Sequence, residues 1–312
     1  MRSFRLIPSD TSIPFMRFRK VGYAISAVLV LASLVLLPTK GLNLGIDFRG
    51  GTLIEVRMPG AAADLGAMRA TLGGLGLGEV ALQEFGAPDD VLIRIERQSG
   101  DDQAQQAAVG VVREALNAQF GEDIDYRRVE FVGPKVSEEL FQAGALAVLF
   151  ALIALLAYIW FRFEWQFSVG AIAALLHDAL LTLGLFSLLG LEFNLSTVAA
   201  VMTIVGYSLN DTVVIYDRVR KNLRRFKTMP LEALLDKSIN DTLARTIMTS
   251  VTTLIALVAL FIFGGPVIQG FTIALIWGVI VGTYSTIFIA APILIHLNLR
   301  AEAVAPPEVA TP

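Results

Sequence analysis

Six apolar blocks, at roughly 18–37, 140–160, 167–189, 195–216, 244–263 and 270–298, divide this 312-residue chain. Each is about 20 residues or longer, enough to cross a hydrocarbon core of about 30 Å at 1.5 Å per residue. The pattern predicts six membrane-crossing helices. The segment between the first two has a different period. There "TLIEVRM" (52–58), "EVALQEF" (79–85), "VLIRIER" (91–97) and "IDYRRVEFV" (124–132) read as half-buried strands. Residues 61–73 and 101–120 carry helical spacing, and "GAPDD" (86–90) reads as a turn. The order β-α-β-β-α-β predicts a split βαβ, ferredoxin-like domain.

The fold class expected is therefore a polytopic α-helical membrane protein with six transmembrane helices and one extracytoplasmic α+β ferredoxin-like domain. Its divisions are an N-terminal segment (1–17), spans at 18–38, 139–160, 167–189, 195–216, 244–263 and 270–298, and the domain at 39–138. A basic segment (217–243) separates the fourth and fifth spans, and the Pro/Ala-rich tail (299–312) is expected to be disordered.

Composition and charge orient this scheme. The chain is 55% hydrophobic and 17% charged, where an ordinary soluble domain carries about 25% charge. It has no cysteine, which excludes disulfides, thiol catalysis and Cys-based zinc sites. Arg2, Arg5, Arg17, Arg19 and Lys20 precede the first span, and Arg162 sits in the turn after the second. Arg218, Arg220, Lys221, Arg224, Arg225, Lys227 and Lys237 follow the fourth. The turns "GLEFN" (190–194) and "GGPVIQG" (264–270) hold no Lys or Arg. By the positive-inside rule both termini are cytoplasmic and the domain lies outside. The first block is too long for a signal-peptide core and no small-x-small site precedes "LPTKGLNLG", so it reads as an uncleaved span. The basic segment reads as a topological anchor that meets lipid headgroups; no nucleic-acid-binding fold signal accompanies it.

Two glycine-rich stretches tempt a nucleotide reading, "GGLGLGE" (73–79) and "GIDFRGG" (45–51). A dinucleotide fingerprint needs its glycines between a strand and a helix. The first stretch joins a helix to a strand and the second precedes a strand, so neither fits. However, "GIDFRGGT" just beyond a first span resembles the signature of the SecD/SecF family of protein-export membrane proteins. "LHD" (176–178), "GYSLNDTVVIYDRVR" (206–220) and "RTIMTSVTT" (245–253) resemble its SecF branch, and the likeness runs over 18–298. The resemblance implies a non-enzymatic, RND-type subunit of the cell inner membrane, coupled to protons and needing no cofactor or metal. The partners it implies are SecD, the SecYEG channel, YajC and YidC, a translocating preprotein and membrane lipids, with no nucleic acid. Its implied task is to use the proton gradient in late steps of preprotein export. Rival readings are a small-molecule or lipid exporter of the same superfamily, and a structural subunit that conducts nothing.

An ionisable residue inside a span is a functional candidate, because lipid makes it expensive. Asp211 lies about 9 Å up the fourth span from Asp217, with Ser208 three residues earlier on the same face. It reads either as a buried, titrating carboxylate or as a helix-end Asp that reaches water. Arg245 opens the fifth span at similar depth, with Thr249 and Thr252 continuing a polar stripe. A pair with Asp211 is possible; a snorkelling Arg is the alternative. Asp178, deep in the third span, is a relay group or a helix-packing Asp. His177 fits hydrogen bonding within the bundle better than relay. Asn210 and the run "TYST" (283–286) could support the site, and Gly278 and Gly282 have the spacing of close helix packing. The resemblance places the proton-relay Asp and Arg at Asp211 and Arg245. It places the family signature at Gly45, Asp47, Arg49, Gly50 and Gly51, of which Gly50 and Gly51 read as a backbone joint.

Overall fold

A computed structural model describes residues 11–60, 62–100 and 102–299. The first ten residues, and the tail beyond 299 expected to be disordered, lie outside the described residues. A short 3-10 turn, Phe15–Phe18, leads into helix α1 (Arg19–Thr39). Strand β1 (Asn43–Leu44), the four-residue helix α2 (Ile46–Arg49) and strand β2 (Gly51–Arg57) follow. Then come α3 (Leu65–Gly73), β3 (Val80–Phe85), β4 (Ala87–Ile95), α4 (Asp102–Phe120) and β5 (Asp125–Val132). The remaining elements are α5 (Pro134–Arg162), α6 (Trp165–Leu189), β6 (Glu192–Phe193), α7 (Leu195–Arg225), α8 (Leu231–Phe263) and α9 (Gln269–Ser285). A π turn (Thr286–Ala290) carries α9 into α10 (Ala291–His296).

Among the described residues, six helices are long and apolar enough to cross a membrane. The apolar windows of the spans formed by α9, α6 and α7 are 61%, 50% and 44% buried, against 6% for α5 and 17% for α1 and α8. The first three therefore form the centre of the bundle. Close approach builds it: Gly282 of α9 meets Ser208 of α7 where a Cβ would sit 3.0 Å from the serine Cβ. Gly278, one turn away, lies against Ile204.

The segment 217–243 differs from its expected form. It is not a separate basic connector, because α7 continues to Arg225 and α8 starts at Leu231. The reason is a helical apolar face: Val219, Leu234, Leu235 and Ile239 are buried in one cluster with Met16 and Phe167. Polar bonds seal this end. Met16 N–H donates to Asp236 Oδ1 at 2.8 Å, Arg19 pairs with Glu232 at 2.7 Å, and Arg162 reaches Asp217 at 3.6 Å.

The domain's four strands lie in the order β3-β4-β2-β5, every neighbour antiparallel. That is the ferredoxin-like arrangement read from the element order. Ile54, Val56, Ile93 and Ile95 face α3 and α4, where Met68, Leu72, Val112 and Leu116 close a dry core. "GAPDD" is not a five-residue turn. Gly86, at φ 83°, turns the chain alone and β4 begins at Ala87. Asp90 is thereby drawn into the sheet, where it pairs with Arg57 at 2.7 Å and Arg127 at 3.2 Å. The domain meets the bundle through a two-stranded parallel ladder, Asn43 opposite Glu192 and Leu44 opposite Phe193. Domain and α6–α7 turn thus share one end of the bundle, and the Lys- and Arg-rich segments share the other.

Candidate functional site

Three helices meet at Asp178, which is fully buried in α6, and a fourth joins through His177. Its Oδ2 accepts from Ser208 Oγ of α7 at 2.6 Å and from Ser285 Oγ of α9 at 2.8 Å. Its Oδ1 lies 3.0 Å from His177 Nδ1. His177 Nε2 is 3.1 Å from Ser26 Oγ of α1, and Ser26 is 3.0 Å from the Tyr284 hydroxyl. Tyr284 donates to the Gly22 carbonyl at 2.6 Å. Each hydroxyl has one proton to give. Tyr284 spends its proton on Gly22, so Ser26 donates to Tyr284 and His177 Nε2–H donates to Ser26. The π turn follows directly on Ser285, and Thr286 bonds Thr212 of α7 at 2.9 Å. Neighbouring residues of one helix thus grip two different partners.

Asp211 lies one turn beyond Ser208 on α7. Its Oδ1 accepts from Thr246 Oγ1 of α8 at 2.7 Å. Its Oδ2 is buried and has no hydrogen-bond partner among the described residues. The possible pair with Arg245 is not formed. The Arg245 side chain is exposed and makes no ion pair among the described residues, although its charge acts on Asp211. Helix geometry is the cause: residues 245 and 246 point about 100° apart, and Thr246 is the one turned toward α7. The stripe that begins at Arg245 faces outward with it. Thr249 donates back to Arg245 O at 3.1 Å and Thr246 O at 2.9 Å, and Thr252 to Met248 O at 2.8 Å.

Asn210 is exposed as well, at the end of a row on α7 formed by Ser196, Ala199, Thr203 and Gly206, all exposed. The spacing of three and four puts them on one face. Elsewhere the outer faces are lipid-like: Val28, Leu31 and Val35 on α1, and Leu149, Phe150 and Ile153 on α5.

The signature turn sits at the other end of α7. Gly45 N–H donates to Phe193 O at 2.9 Å, and Asp47 Oδ2 accepts from Leu195 N–H at 2.9 Å. Arg94 of β4 donates to Asn43 Oδ1 at 2.6 Å and to the Leu44 carbonyl. Burial pushes the Glu192 carboxyl above its ordinary range, against the pull of the Arg94 charge. Arg49 is exposed and lines an open cleft of about 620 Å³ with Arg94 and Arg97. Gly50 and Gly51, at φ 71° and 114°, occupy the left-handed region. They are also seated tightly: a Cβ on Gly51 would lie 2.5 Å from Ile95 O.

Two family profiles match the chain. "Protein export membrane protein SecD/SecF, C-terminal" covers residues 112–300, and "SecD/SecF GG Motif" covers 35–58. The chain is 48% identical over 290 residues to "Protein translocase subunit SecF" of Rickettsia rickettsii (strain Sheila Smith), covering 93% of each. It is 48% identical over 299 residues to the protein of that name in Rickettsia bellii (strain OSU 85-389), covering 96% of this chain and 98% of the relative. The chain belongs to the SecD/SecF family. Among solved structures it is similar to SecDF, a translocon-associated membrane protein, from Thermus thermophilus, with 33% identity and a TM-score of 0.85. A SecDF structure in a super-membrane-facing form gives 32% and 0.66. In both comparisons 94% of this chain is covered, and it spans 40% of the SecDF chain.

Within this SecD/SecF chain the structure joins Asp178, His177 and Ser208 in one network and leaves Asp211 beside Thr246. It separates Asn210, Arg245, Thr249 and Thr252 from that interior. Sequence reasoning missed Ser26, which looks like an ordinary small residue in an apolar span, and Thr246, which is masked by the louder Arg245. "TYST" was the signal for Tyr284, Ser285 and Thr286.

Proposed function

We propose that this chain is the SecF-type partner of SecD in Sec-dependent protein export, and that the proton gradient acts through Asp211. The observation that carries the reading is the buried Oδ2 of Asp211, without a hydrogen-bond partner among the described residues while Oδ1 is held by Thr246. A carboxylate so placed is costly, and one oxygen is free to take a proton. The chain lies in the inner membrane with both termini cytoplasmic and the ferredoxin-like domain outside. The basic end of the bundle and the α6–α7 turn, which holds no Lys or Arg, support that orientation. SecD packs on the exposed row of α7 and the Arg245–Thr252 face of α8. Small and polar side chains there suit helix–helix contact better than lipid.

The coupling follows from charge. Ionised Asp211 attracts the nearby Arg245, and the attraction draws α7 and α8 together. A proton on Asp211 removes it. A unit charge crossing the membrane gains about 2.3 kcal/mol per 100 mV, comparable with the roughly 1–3 kcal/mol that couples two sites in typical allosteric systems. The shift reaches the outer domain and assists preprotein in late translocation. YajC, YidC and the SecYEG channel are the further partners of this reading, and no cofactor or enzymatic step enters it. Translocation into vesicles with and without an imposed proton gradient tests it. Asp211→Asn and Arg245→Met should co-purify with SecD, keep nucleotide-driven translocation and lose the gradient-dependent stimulation. Full stimulation in Asp211→Asn would leave a structural subunit as the better reading.

A further inference from the structure

The signature turn touches the very helix that carries Asp211. Asp47 is 148 positions from Leu195 in sequence, yet its Oδ2 takes the Leu195 N–H, the first residue of α7. The helix's own cap, Asn194, spends Oδ1 on Thr197 N–H at 3.1 Å. The free amides of the first turn are thus shared between an internal cap and one brought from the external domain. Further contacts fix the Asp47 segment on both sides. The β1–β6 ladder and the Gly45–Phe193 bond hold it to the α6–α7 turn. Arg94 stitches it to the domain's sheet. Phe48 stacks on Phe193 at 6.0 Å and meets Phe141 of α5 edge-on at 6.0 Å.

We propose that Asp47 is a positioning residue that fastens the external domain to the outer end of α7, so that an axial shift of α7 at Asp211 moves the domain. The proposal rests on the Asp211 reading. A helix is stiff along its axis, and Asp211 lies 16 residues from Leu195, about 24 Å at 1.5 Å per residue. Displacement at one end therefore appears at the other. Strand β2 begins at Gly51, four residues after Asp47, so the fastening lies close to the central strands of the domain. The charge of Asp47 also suits the positive end of the α7 dipole.

The test uses the full chain in complex with its SecD partner in membrane vesicles, with four variants: Asp47→Ala, Asp47→Asn, Leu195→Pro and Asp211→Asn. Leu195→Pro deletes the amide that Asp47 receives, at the first helical position, where proline is favoured. Asn keeps a capping oxygen. The expected result is that Asp47→Ala and Leu195→Pro lose gradient-dependent stimulation by about fivefold, as for the loss of one helix cap. Both should keep nucleotide-driven translocation and partner assembly, and Asp47→Asn should retain stimulation. Hydrogen exchange over residues 196–200 should rise in the first two and not in Asp47→Asn. Unchanged exchange in Asp47→Ala overturns the proposal whatever Asp211 does. So does full stimulation in Asp47→Ala while Asp211→Asn is defective, or assembly that falls together with stimulation. Raised exchange with full stimulation in every variant, Asp211→Asn included, refutes the proton reading and with it the role of Asp47 in coupling.

Discussion

The external domain and the helical bundle place their polar groups in opposite ways. In the domain, Ile54, Ile93, Met68, Leu72 and Leu116 fill an apolar interior, and the buried Asp90 carboxylate is covered by Arg57 and Arg127, which reach the surface. In the bundle the carboxylates and hydroxyls are central: Asp178, Ser208, Ser285, Thr212 and Thr286 are all buried, while Leu149, Phe150 and Ile255 face outward. Water drives the first arrangement, because apolar area withdrawn from it is favourable. In lipid that force is absent between helices, and packing and hydrogen bonds select the contacts. One chain therefore relies on two kinds of glue, and each fails to a different substitution.

The largest loss is expected where burial from water does the work. Ile54→Ala removes a side chain with no solvent exposure from the middle of the sheet. It should cost about 2–5 kcal/mol, seen as an earlier urea midpoint in a soluble fragment of residues 42–136. A loss below about 1 kcal/mol would mean that the domain relies on its seat on the bundle rather than on its own core.

The next largest lies in the bundle. Asp178→Ala strips the acceptor from Ser208, Ser285 and His177 together. At about 1 kcal/mol or less for each bond within a membrane, the chain should lose roughly 2–3 kcal/mol in detergent unfolding. Asp178→Asn, which keeps one acceptor oxygen, should lose less. Equal losses would show that shape, not hydrogen bonding, matters at this position.

A smaller effect separates the regions by pH. The Arg57 hydrogen bonds hold the Asp90 carboxyl below its ordinary range, with Arg127 adding to them and burial opposing. A carboxyl depressed in the fold contributes stability above its unfolded value, about 3.9, and loses it as pH falls through the folded value. Acid should therefore weaken the fragment progressively below about pH 5, and Asp90→Asn should flatten that slope. An unchanged slope would assign the acid sensitivity to other carboxylates.

Repetitive signals were legible in the sequence and single contacts were not. Six apolar blocks and four alternating strands announce themselves by period, so the fold was readable in outline. Asp178 and Asp211 stood out because charge in a span is rare. Which residue meets Asp211 depends on a rotation of about 100° between neighbours on α8, and no local pattern separates Arg245 from Thr246. The extension of α7 and α8 was hidden by charge: Arg218, Arg220 and Lys221 mark one face, while Val219 and Asn222 are buried on the other. The cap from Asp47 to Leu195 joins positions 148 residues apart, a distance no window spans.

The smallest predicted effect tests that rotation within a single helix. Thr246 and Thr252 are both threonines of α8, six residues apart, and both hydroxyls are hydrogen-bonded. Thr246 donates to Asp211 across the bundle, whereas Thr252 donates to its own helix at Met248 O and Thr249 O. Thr246→Val keeps the shape but leaves both oxygens of Asp211 without a hydroxyl donor, at a cost of about 1 kcal/mol. Thr252→Val removes a bond to backbone carbonyls that already take part in the helix, on an exposed face, and should change stability by less than about 0.5 kcal/mol. Unfolding of the two single mutants in the same detergent decides between them. If Thr252→Val is the more damaging, then α8 presents the Arg245 face to α7, and the arrangement of Asp211 described here is wrong.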